Sequence, residues 1–166
     1  GEYGGMQLLP CVRVRSREGR PWRPALDALE RLIARRGDWL RLLGSREALD
    51  AIMLASGGYL RDLFRILQSC MRLARGQSLP ISNAVVQTAL AEVRSSYLPL
   101  PHADALWLAE VQGSQQTGLD VHQAGPNKSL YHLSRFFDTH MVLCYRSREE
   151  WYDVHPLLRD EVDRHI

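Results

Sequence analysis

Arg61 lies three residues after the pair Gly57-Gly58, in the run Ser56-Gly57-Gly58-Tyr59-Leu60-Arg61-Asp62-Leu63. A small-residue turn that opens a helix sets an early arginine beside backbone N–H groups that no helical carbonyl satisfies, an arrangement that favours phosphate. A guanidinium there adds charge-assisted donors. The competing reading is an exposed helix arginine paired with Asp62, with the neighbours of Arg65 or with solvent. Gly57 and Gly58 read either as a hinge or as a plain C-cap and turn. A second set of cations, Lys128, Arg135, Arg146 and Arg148, are candidate nucleic-acid contacts, the last two beside a predicted hairpin tip. Glu149 and Glu150 share that tip. Residues 81–166 carry 7 basic and 11 acidic side chains, against 14 and 8 in residues 1–80. That balance favours protein docking or a structural role over DNA binding in the second half.

Other chemistries find less support. The six histidines are dispersed. His155 follows Asp153 by two residues, which on a strand puts both on one face. A nucleophilic site would need a partner such as Cys144, whose neighbours Val142 and Leu143 predict a buried thiol instead. A hydrogen-bonded structural histidine is the better reading. No CxxC or HxxxH pair suggests zinc, so no metal ligands are expected. Trp22, Trp39, Trp107 and Trp151 do not cluster and read as core or interface anchors. Cys11, Cys70 and Cys144 are odd in number and scattered, which suits a reducing, cytoplasmic setting more than a disulfide framework.

These residues need elements to carry them. The chain of 166 residues has 45% hydrophobic and 24% charged residues and a net charge of +2. Those values exclude a disordered chain, and no apolar run is long enough for a membrane helix. The start, Gly1-Glu2-Tyr3-Gly4-Gly5, has neither initiator Met nor signal-peptide pattern, so the natural protein is expected to extend further N-terminally. Val12 and Val14 alternate with arginines as on a short strand, and Ser16–Arg20 reads as a turn. Leu26, Leu29, Leu32 and Ile33 predict a helix ending near Gly37. Ser45 is a candidate N-cap for a second helix with Leu49, Ile52 and Met53, broken at Gly57-Gly58. A third helix is predicted from Leu60, Leu63, Phe64, Leu67, Cys70, Met71 and Ala74 on one buried stripe, with Arg61, Asp62, Arg65 and Arg72 off it. Ser82 caps a fourth, with Val85, Val86, Ala89, Leu90 and Val93 inward.

Pro99 and Pro101 mark the expected boundary between two subdomains. A helix over Ala103–Val111 follows, then a polar stretch to Asn127, then a short helix opened by Ser129. Met141–Arg146 and Trp151–His155 have hairpin spacing, and Pro156 opens a terminal helix. Helices followed by a hairpin are the ingredients of a winged helix.

The run SGGYLRDL resembles the start of the lid helix that carries the sensor-two arginine in AAA+ ATPases. The helices around it are similar to the rest of that lid, and WYDVHPLL (Trp151–Leu158) looks like the end of a winged-helix-like domain appended to some bacterial ATPases of this class. The resemblance implies a mainly α chain. Residues 1–20 would be a remnant strand of the ATPase core, 21–97 a helical lid-like subdomain, and 98–166 a winged-helix-like α+β domain. It also implies a nucleotide-sensing role for Arg61, ATP and Mg held by the parent protein, and contact with an N-terminal ATPase core, a neighbouring subunit or another protein. The chain departs from the family in having no GxxxxGK[ST] loop and no apolar strand ending in paired acids, so it is not expected to bind or hydrolyse ATP alone. The alternative is a free-standing interaction or DNA-binding module with no nucleotide role.

Overall fold

Apolar residues at three- and four-residue intervals fold the first half into helices, because each forms one buried stripe when wound at 3.6 residues per turn. The structure, a computed structural model, describes residues 10–116 and 134–166. Helix α1 (Arg23–Ala34) opens with proline in its first turn and buries Leu26, Leu29 and Ile33. Helix α2 (Trp39–Leu43) is capped by Asp38, whose side chain accepts from the Arg41 amide. Helix α3 (Arg46–Ala55) is capped by Ser45, as expected. Helix α4 (Leu60–Leu73) and helix α5 (Asn83–Ser95), the latter capped by Ser82, complete this part. The α2 turn is a finding beyond the sequence pattern, since five residues are too few to display a periodicity.

The central element is α3. It packs against α1, α2, α4 and α5, and Leu49, Ile52 and Met53 are fully buried. Helix α6 (His102–Ser114) follows, and residues 134–138 are again helical. Strands β1 (Val142–Arg146) and β2 (Glu150–Val154) form an antiparallel hairpin whose register pairs Val142 with Val154 and Arg146 with Glu150. A 3-10 turn (Pro156–Leu158) leads into helix α7 (Arg159–Arg164). Helix α6 packs on β2 and on α7. The chain is thus mainly α, with a small two-stranded sheet among the described residues. Helix Ser129 onward and Lys128 fall largely or wholly outside those residues.

One contiguous cluster of buried side chains runs from Val14 through Leu49, Ile66 and Leu90 to Phe136, Leu158 and Val162. The proline-marked boundary therefore lies over a shared core.

Two local expectations change. The strand at Val12–Val14 does not form. The Cys11 amide donates to the Cys144 carbonyl and the Val12 amide to the Gly58 carbonyl, so the segment touches two different elements instead of laddering along one. An isolated bridge, Arg15 with Pro21, closes the Ser16–Arg20 turn. The buried stripe of α4 is also rotated from the expected one. It consists of Asp62, Leu63, Ile66, Leu67 and Cys70, while Met71 is 54% exposed.

Candidate functional site

The turn at Gly57-Gly58 adopts backbone angles that only glycine takes easily, with φ of +63° and +77°. Space demands glycine as well. A Cβ on Gly58 would stand 1.8 Å from the Val12 carbonyl oxygen, and one on Gly57 would stand 2.6 Å from Leu143 Cδ1 and 2.8 Å from Pro156 Cδ. Both residues are buried. Ser56 Oγ donates to the Met53 carbonyl and accepts from the Gly58 amide, at 2.6 and 3.1 Å. Tyr145 OH donates to the Gly57 carbonyl at 2.5 Å. A hinge motion at these glycines would have to break these contacts.

Helix α4 leaves this turn with no side-chain cap at Tyr59. Arg61 is exposed in its first turn, and it makes no ion pair with any described residue. Beside it, Tyr59 stacks on His140 with ring centroids 4.2 Å apart and planes 10° apart. Burial pushes His140 below its ordinary pKa, and the nearby Arg61 charge pushes it the same way.

Asp62 turns inward. Its side chain is fully buried, and so is that of His155. His155 Nδ1 accepts from the Leu157 amide at 3.2 Å, which leaves the ring proton on Nε2 to donate to Asp62 Oδ2 at 2.8 Å. Tyr97 OH donates to the same oxygen at 2.5 Å, and Arg65 donates to Oδ1 at 3.0 Å. Burial by itself would raise the Asp62 pKa, but the His155 and Tyr97 hydrogen bonds and the His155 and Arg65 contacts outweigh it and hold the carboxyl below its ordinary value. Burial and the Asp62 charge push the Tyr97 hydroxyl up. A carboxylate with three donors is a satisfied structural group, and it has no free lone pair facing an open cavity with which to act as a base.

No family profile, curated protein or solved structure matches this chain.

The other sequence candidates fall apart in space or in charge. Asp153 does not pair with His155. Its oxygens accept from the Val154 amide and from Arg159, because the chain turns at Pro156 and carries the histidine toward α4. Arg146 is bound to Glu150 across the hairpin, and Arg135 is bound to Asp104 at 2.5 Å. Arg148 is exposed with no ion pair among the described residues, and Lys128 lies outside them. The three thiols are poor nucleophiles: burial pushes Cys11 up to about 12 and Cys70 up to about 11, and it raises Cys144 as well. Among the described residues, no three His, Cys, Asp or Glu side chains converge as a metal site would, and no helix is long and apolar enough to cross a membrane. Trp151 is buried and stacked on Tyr145, whereas Trp22 is 41% exposed beneath Arg13.

Sequence reasoning missed Asp62, Arg65, Tyr97 and His155 as one cluster, and Tyr145 as the partner of the Gly57 carbonyl. The signal was present in part. Asp62, Ile66 and Cys70 recur every four residues with Leu63 and Leu67 between them, so an acid occupies an apolar position of the stripe.

Proposed function

We propose that this chain is the C-terminal, nucleotide-responsive portion of an AAA+ ATPase. In this reading residues 21–97 act as a helical lid and residues 98–166 as a winged-helix-like unit. Arg61 contacts the terminal phosphate of a nucleotide bound mainly elsewhere, and the chain passes that contact on to an ATPase core, a neighbouring subunit or another protein partner. ATP and magnesium would be held by residues outside this chain, which offers no glycine-rich lysine loop. Nucleotide bound there would supply the anionic oxygens, and this chain would supply a single guanidinium to orient against them.

One observation carries the reading. Arg61 is exposed in the uncapped first turn of a fourteen-residue helix, without a carboxylate partner among the described residues. The carboxylate beside it in sequence is turned inward and is engaged by Arg65, Tyr97 and His155. The competing pairing of Arg61 with Asp62 is thereby removed, and the cation is left available to an external anion. The candidate nucleic-acid contacts give DNA binding less support, since Arg135 and Arg146 are neutralised by Asp104 and Glu150.

The test is Arg61→Ala in the protein together with its nucleotide-binding core. Loss of one charge-assisted contact should weaken ATP binding about tenfold or more, with ADP binding much less affected. Unchanged ATP affinity together with an unchanged ATPase rate would rule the reading out.

A further inference from the structure

Three side chains from residues 140–155 grip three positions around Arg61. Tyr145 OH donates to the carbonyl of Gly57 at 2.5 Å. The His140 ring lies flat on Tyr59, with centroids 4.2 Å apart. His155 Nε2 donates to Asp62 at 2.8 Å inside the core. Two of these contacts precede Arg61 in the chain and one follows it, and they come from β1, from the residue just before Met141 and from the residue just after β2. The backbone agrees with them: the Val12 amide closes on Gly58, and Gly57 lies so close to Leu143 and Pro156 that a Cβ there would collide with both.

We infer that the C-terminal hairpin is the positioning element for Arg61, with His155 acting through Asp62 and Tyr145 acting through Gly57. A displacement of the hairpin must then reorient the first turn of α4. By thermodynamic reciprocity, an anion held by Arg61 must bias the hairpin in return. The hairpin is thereby the route by which a bound partner would tune the arginine. This consequence rests on the nucleotide reading of Arg61, but the mechanical link does not.

The experiment compares His155→Ala, His155→Gln, Arg61→Ala and Leu108→Ala. His155→Gln keeps an Nε2 donor toward Asp62. Leu108 is fully buried in α6 and serves as a destabilised control. Amide hydrogen exchange on this chain reads the link. His155→Ala should speed exchange at residues 57–63 about tenfold beyond the global change seen in Leu108→Ala, and His155→Gln should recover most of the protection. ATP and ADP affinities of the protein with its nucleotide-binding core read the consequence. His155→Ala should lose ATP affinity about tenfold while ADP affinity holds, and the double variant with Arg61→Ala should be no worse than Arg61→Ala alone. Exchange at residues 57–63 that merely tracks Leu108→Ala overturns the positioning role. Weakened ATP binding in Arg61→Ala beside normal binding in His155→Ala also overturns it. Normal ATP binding in Arg61→Ala defeats the nucleotide reading, and the exchange result then judges the link by itself.

Discussion

Two polar clusters bridge separate segments of this molecule, and they differ in almost every physical respect. Arg46 on α3 gathers Asp27 and Glu30 of α1 and Asp50 of its own helix, at 2.8, 4.0 and 3.0 Å. Arg23 adds a second cation to Asp50 at 2.7 Å. All of these groups face solvent in part. Asp62, in contrast, is fully buried, and its donors come from its own helix, from the turn after α5 and from the end of β2. The first cluster joins helices that already pack through Leu26, Leu29, Leu49 and Ile52. The second joins segments 93 residues apart, at a point where Tyr145 also reaches the Gly57 carbonyl. Water and salt screen the first cluster, so its ion pairs contribute little net free energy. The second has lost its water, and any donor or acceptor left over there costs its full desolvation. The number of ion pairs is therefore a poor guide to which cluster matters.

The comparison can be broken most forcefully at the turn that brings the buried cluster together. Gly58→Ala should cost more than about 4 kcal/mol, because the added methyl meets a backbone oxygen that cannot swing aside and the φ of +77° is strained as well. Chemical denaturation of the chain measures this, and near-wild-type stability would show that the Val12 contact is dispensable.

Asp62→Ala comes next. It strands the Tyr97 hydroxyl and the His155 Nε2–H in the core, for an expected loss of about 3–5 kcal/mol. The same residue sets a pH dependence. Its folded pKa is depressed, so its stabilising contribution is complete above the unfolded carboxylate value near 3.9 and is lost as pH falls below that. Wild type should therefore lose stability with acid more steeply than Asp62→Ala, and parallel acid titrations of the two would contradict the buried-carboxylate account.

The smallest effect is expected at the exposed cluster. Arg46→Ala should cost about 1 kcal/mol or less, shrinking further in high salt. A loss rivalling that of Asp62→Ala would erase the distinction between the two clusters.

Much of the architecture was legible because it is local. Ser45 and Ser82 are N-caps by virtue of one side-chain oxygen and one nearby amide. The hairpin declared itself through two apolar runs around a polar turn, and the observed strands differ from those runs only at their ends. The Gly57-Gly58 break needed no more than two adjacent glycines. What failed was the phase of α4. Leu60, Phe64 and Met71 suggested one stripe by hydrophobicity, but Leu60 and Met71 are exposed and the acid at 62 goes inside. A carboxylate is buried only when donors await it, and two of the three donors lie 35 and 93 residues away in sequence.

The sequence by itself therefore determined the longer helices, the Ser45 and Ser82 caps, the hairpin and the placing of Arg61 in a first helical turn, since each depends on residues a few positions apart. Only the tertiary structure decided which way Asp62 faces, and with it that Arg61 has no partner in its own helix. It also decided that Val12 lies against Gly58 instead of in a strand, and that His155 serves α4 instead of Asp153. Those outcomes depend on desolvation and on close approach between distant segments, which no local pattern of residue types encodes.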